Sequence, residues 1–105
     1  MKDLEIMASA TNTVIQEDDS MSPNIAKGSI IFLEPFTENN FCMCDGVVYV
    51  FKTPKGLITR RYVFAGMDEV ELRPANKEYK STMLKISEMI DYVVMGRVTG
   101  RFTKL

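Results

Sequence analysis

The sequence predicts a mostly β domain in which short strands and hairpins curl into a partly closed barrel. Apolar and β-branched residues recur with a strand-like alternation nearly throughout the chain. Turn-forming pairs interrupt these runs at short intervals, as at Asp45-Gly46 and Pro54-Lys55-Gly56. Helix-forming runs are scarce, and many short strands with regular turns favour closure over an open sheet.

Thr11 to Glu17 (TNTVIQE) reads as a short strand running into the acidic Glu17-Asp18-Asp19. Pro23 to Ala26 has room for one helical turn. Ser29 to Glu34 (SIIFLE) is a second strand, stopped at Pro35, whose ring removes a ladder donor. After Asp45-Gly46, Val47 to Thr53 (VVYVFKT) is rich in β-branched and aromatic residues. Pro54-Lys55-Gly56 then reverses the chain into Leu57 to Phe64 (LITRRYVF), a hairpin signature. Glu69 to Arg73, Met83 to Ile86 and Tyr92 to Phe102 complete the strands, with Ser87 to Ile90 as a second helical turn.

At 105 residues the chain has room for one core, and residues 1–105 read as one domain with 1–10 as a linker or disordered start. Its composition, 46% hydrophobic and 26% charged, is that of a folded chain rather than a disordered one. A formal net charge of -1 supplies no general attraction to phosphate, which argues against direct nucleic-acid binding by the domain as a whole. No apolar run is long enough for a membrane span, and Met1 to Met7 carries Lys2, Asp3 and Glu5 where a signal peptide would be apolar. A reducing, cytoplasmic setting is expected. Cys42 and Cys44, at i and i+2, point to one face if they lie on a strand and are poorly placed to bridge each other. With no histidine and no third cysteine they lack the ligands for zinc, and they read as buried or half-buried thiols. No cofactor or metal is expected. The eight scattered methionines read as core filling rather than as a binding surface.

One ordered series stands out. Ser20-Met21-x-Pro23 is followed by Lys27-Gly28 and a strand, and then by Asp45-Gly46 with VVYVF. A hairpin returns through Thr59-Arg60-Arg61-Tyr62. Val70-Glu71-Leu72-Arg73-Pro74, Asn76-Lys77-Glu78-Tyr79 and Gly96-Arg97-Val98 complete the series. Over roughly residues 12 to 102 this order resembles the C-terminal domain of the LexA, UmuD and phage-repressor family, the S24-type serine peptidases. The resemblance implies a LexA/signal-peptidase-like β fold. It also implies a serine nucleophile after the first strand and a lysine general base on the second arm of the central hairpin.

By that resemblance Ser20 takes the nucleophile's place and Arg60 the lysine's. A serine hydroxyl is a weak nucleophile that needs a neighbour to take its proton. A lysine does so once burial lowers its pKa, whereas a guanidinium has no lone pair to offer. The family's Ala-Gly or Cys-Gly self-cleavage dipeptide is absent before Ser20, where the nearest small pairs are Ala8-Ser9 and Ala10-Thr11. Ser29 stands where the family often has aspartate. One substitute base is available. A three-residue loop at Pro54-Lys55-Gly56 would set Thr53 opposite Leu57, Lys52 opposite Ile58 and Val50 opposite Arg60. Lys52 and Arg60 would then be diagonal neighbours about 7–8 Å apart.

These features predict an oligomerisation and regulatory domain of a phage-type or LexA-like transcriptional repressor without autoproteolytic activity. The alternative is an active S24-family peptidase using Ser20 with a non-standard base such as Lys52; a signal-peptidase relative is a third reading, disfavoured by the missing lysine. DNA would be reached only through a helix-turn-helix domain that this chain does not contain. The expected partner is a second copy of the chain. Tyr92, Val94, Gly96 and Val98, on one face of a final strand taken to lie at an open sheet edge, are the expected dimer interface.

Overall fold

The computed structural model describes residues 12–35 and 43–103. They form seven strands: β1 Asn12–Ile15, β2 Ile30–Pro35, β3 Val47–Thr53, β4 Gly56–Phe64, β5 Glu69–Arg73, β6 Thr82–Lys85 and β7 Val93–Phe102. A 3₁₀ helix, Ile86–Asp91, links β6 to β7. The strands make one antiparallel sheet in the order β1-β2-β7-β3-β4-β5-β6, curled into a half-barrel. The mostly β class expected from the alternation is therefore present. The expected 1–10 linker and Cys42 lie outside the described residues.

β3 explains why the centre of the sheet reads as a continuous apolar run. Successive side chains of a strand point to opposite faces. Val50 packs with Met21, Ile25, Ile31 and Leu33 on one face, while Tyr49 and Phe51 pack with Tyr62, Val70 and Leu72 on the other. Both faces of β3 are thus covered, and edge-to-face contacts of Tyr49 with Phe51 and Tyr62 fix the second core.

Four sequence expectations need correction. The β3–β4 hairpin closes with two loop residues, not three, so Thr53 faces Gly56, Lys52 faces Leu57 and Tyr49 faces Arg60. Gly56 makes this possible: at φ +124 it adopts a backbone that side-chain-bearing residues rarely take, directly after Pro54-Lys55. The Thr53 hydroxyl secures the turn by donating to the Gly56 carbonyl at 2.9 Å and accepting from the Lys55 N–H at 3.1 Å.

The second correction concerns β7. It is not an edge strand but lies between β2 and β3, paired with both. Val94 and Tyr92 pack against the second core and Val98 against the first, and Gly96 is buried. Tyr92 and Val94 thus face one core and Val98 the other, because the irregularity beside Val50/Phe51 breaks the single face expected for the four residues. Val93, Met95, Arg97, Thr99 and Arg101 are exposed residues of the strand. Register shifts occur where β7 passes Phe32/Leu33 and Val50/Phe51, and such bulges add local twist.

Third, Cys44 is exposed on the loop before β3 rather than buried in a strand, and its N–H donates to the Tyr49 hydroxyl at 2.7 Å. Fourth, the methionines divide. Met21 is fully buried and Met43 and Met89 pack on the second core, but Met67, Met83 and Met95 are exposed. The helical turn expected at Pro23–Ala26 forms slightly earlier, with the Ile25 N–H donating to the Met21 carbonyl at 2.8 Å.

Candidate functional site

Ser20 sits in the loop between β1 and β2. The loop's ends are tied together: the Gln16 N–H donates to the Ser29 carbonyl at 2.9 Å and the Gly28 N–H to the Gln16 carbonyl at 2.7 Å. Met21 and Ile25, one helical turn apart, anchor the loop's middle in the first core. From the segment after β5, the Asn76 N–H donates to the Ser20 carbonyl at 2.9 Å, and the Asn76 amide to the Asp19 carbonyl at 3.0 Å. Ser20 is held on both sides and is 0% exposed.

Its oxygen accepts from two sides. Arg60, from β4, donates Nη1–H to Ser20 Oγ at 2.8 Å, and the same nitrogen reaches the Thr59 carbonyl at 2.8 Å. Gln16 Nε2 lies 3.3 Å from Ser20 Oγ and also contacts the Asp18 carboxylate. The Asp18 carboxylate in turn accepts from the Ser20 backbone N–H at 3.0 Å. A serine oxygen has two lone pairs and one proton. Here both lone pairs have donors, one of them cationic. No buried side-chain polar atom among the described residues lacks a partner.

The electrostatics follow from this packing. Burial pushes the Asp18 carboxyl upward, but hydrogen bonds from the Ser20 hydroxyl and N–H, the Arg60 charge and the Gln16 amide outweigh it. The net result is a pKa below the usual carboxylate value. Burial pulls the Arg60 guanidinium downward, against the opposing influence of Asp18 and Tyr79. A guanidinium still has no usable lone pair, and a carboxylate with a depressed pKa is a poorer base than an ordinary one.

The structure therefore brings Ser20 and Arg60 together. It does not bring Lys52 to them: Lys52 is exposed, lies opposite Leu57, and is not among the donors at Ser20 Oγ. Ser29 is fully buried, its hydroxyl 2.7 Å from that of Thr103, remote from any acid-base role at Ser20. Gln16 and Asp18 were not singled out by sequence. The one available signal was a polar residue, Gln16, continuing the alternation of β1 where a buried side chain is due.

The depressed Asp18 carboxyl has a consequence for stability. A folded-state pKa below the unfolded one stabilises the fold above the unfolded value of about 3.9, and the contribution is lost as pH falls through the folded pKa. Asp18→Asn should therefore be less stable than the parent at neutral pH, with the two converging at low pH. Urea melts across the acid range check this. Glu71, also held low by Arg73, titrates in both proteins and cancels in the difference. A constant gap down to about pH 2 would show that Asp18 acts by shape alone.

The family model described as Peptidase S24-like matches residues 5–99. No curated protein matches the chain. The match spans both arms of the central hairpin, the Ser20 loop and most of β7, so the ordered motifs and the half-barrel meet in one assignment: the chain belongs to the Peptidase S24-like family.

Proposed function

We propose that this chain is a regulatory and oligomerisation domain of a LexA-like or phage-type repressor in which self-cleavage has been lost. Arg60 occupies the place of the family's lysine base. The observation that carries the reading is the 2.8 Å contact from the Arg60 guanidinium to the oxygen of a fully buried Ser20. A lysine can lose its proton and then accept serine's, whereas arginine here can only donate, so the hydroxyl is held rather than activated. DNA would be engaged by a helix-turn-helix partner domain, with this domain pairing two such units on a two-fold site.

Incubation at about pH 10, where a lysine base with a burial-lowered pKa would be neutral, should leave the chain uncut, and a serine-directed phosphonate should add no mass at Ser20. A specific cut or adduct that Ser20→Ala abolishes would establish an active peptidase instead.

The pairing surface is formed by the exposed residues at the β7 start and the preceding turn, since Tyr92, Val94 and Val98 are already packed against the cores. Ile90 is 84% exposed, Val93 54% and Met95 38%, close together in the chain. Exposed apolar residues in such proximity suit a self-complementary contact. A homodimer is expected at about 100 μM by sedimentation equilibrium, a concentration at which micromolar affinities saturate. Val93→Asp with Met95→Asp should shift it to monomer, and Lys55→Asp at the hairpin tip should not. A parent protein that sediments as a monomer removes the pairing role.

A further inference from the structure

A second feature lies on the other side of the Ser20 loop and does not depend on whether Ser20 is reactive. Arg61 of β4 and Arg73 of β5 are directly opposite partners in the sheet. Like charges so placed repel. Arg73 is answered by Glu71, with an ion pair of 2.7 Å, and by the field of Asp45. Arg61 is half-buried, donates to the Gly46 carbonyl, and forms no ion pair with a carboxylate among the described residues.

The two arginines open into a cleft of about 440 Å³ that Asn24, Lys77 and Tyr79 also line. A neighbouring cavity of about 270 Å³ shares Arg61 and Asn24, adds Arg101, and has apolar side chains of the Ser20 loop and β7 in its wall. Neither cavity has a carboxylate among its lining residues. The concentration of cations is local, since the whole chain carries a net charge of -1.

We propose that this cleft binds a small phosphate-bearing molecule, its phosphate at Arg61 and its organic part directed along the adjoining apolar wall. The Arg61 guanidinium, with Lys77 lining the same cleft, suits a tetrahedral oxyanion with several acceptor oxygens. A phosphate monoester carries close to two negative charges at neutral pH, which matches Arg61 and Lys77 together; a single carboxylate would match one of them. The 440 Å³ of the cleft falls in the range of small-molecule sites. The overall negative charge disfavours a long polyanion, which would extend beyond the cationic patch.

The test is titration at fixed ionic strength with inorganic phosphate, adenosine monophosphate and a single-stranded oligonucleotide, followed by calorimetry and amide NMR. Saturable one-to-one binding of adenosine monophosphate is expected, with shifts at Asn24, Arg61 and Tyr79. Arg61→Gln and, independently, the exposed Lys77→Gln should each weaken it by about tenfold, while Lys55→Gln leaves it unchanged. Lys77→Gln serves if Arg61→Gln unfolds. Equal affinity for the two phosphate probes would assign the site to the phosphate alone, and tighter binding of the nucleotide would bring in the apolar wall. The proposal is overturned if neither phosphate probe saturates, if binding ignores both substitutions, or if only the oligonucleotide binds.

Discussion

Arg60→Lys should make Ser20 reactive toward a serine-directed phosphonate, with a rate that climbs as pH rises. The substitution replaces a side chain that can only donate to Ser20 Oγ with one that can also accept once deprotonated. Burial at this position already pulls the cation's pKa down, and an amine there would feel the same desolvation. Asp18 opposes that shift by favouring the charged form, so reactivity should appear on the alkaline side of neutrality rather than below it. A positioned general base is worth about 10²–10⁴ in rate. Arg60→Met, which empties the position of both charge and lone pair, is the necessary comparison. It should stay inert if a base is what the parent lacks. Reactivity in Arg60→Met equal to that in Arg60→Lys would mean that arginine merely blocks access, and no reactivity in a folded Arg60→Lys would mean that more of the pocket has been lost.

Gly96→Ala should destabilise the domain by about 1–3 kcal/mol, the range for forced overpacking. A Cβ added at Gly96 would stand 2.5 Å from the Glu34 carbonyl oxygen and 3.2 Å from the Pro35 Cα, atoms of the neighbouring backbone that no rotamer can move. The direction is informative because glycine in a strand is ordinarily the less stable choice. Gly100 lies on the same strand and supplies the contrast: its added Cβ would meet only the Phe32 ring, at 3.8 Å. Gly100→Ala should be neutral or stabilising. For a chain of this size the Gly96 substitution should lower Tm by about 4 °C or more. Equal melting temperatures for the two variants would show that β2 can shift to accommodate the methyl group.

The two glycines also mark what a sequence discloses and what it hides. β5 was bounded correctly at Glu69 and Arg73, and β3 was located by its β-branched and aromatic run, because both patterns are local. The β3–β4 register was not, because one residue in the turn decides every pairing after it and Gly56 allowed the shorter closure. The exposure of β7 alternates as expected, yet alternation names neither a strand's neighbours nor the bulges that switch its faces. Its place between β2 and β3 comes from pairings between segments far apart in the chain. Ser20 and Arg60 could be brought together only through the ordered motif series. Gln16 and Asp18 stayed hidden because polar residues beside Glu17 and Asp19 look solvated until a buried cation is placed against them.

The position of β7 governs the order in which the fold can be assembled. β3, β4, β5 and β6 form a run of successive antiparallel neighbours, and among the described residues β1 pairs only with β2. Among the described residues the strand ladders of these two groups meet only through β7, which is synthesised after all of them. A nascent chain can build the meander early, while β2 keeps one ladder edge open until the closing strand emerges. Pairings of such long sequence separation are slow to form and leave apolar edges waiting. Interrupted synthesis before Val93 would therefore leave β1 and β2 without a ladder to the meander, held to it by the packing of Val50 in the first core and by the contacts of Ser20 with Arg60 and Asn76.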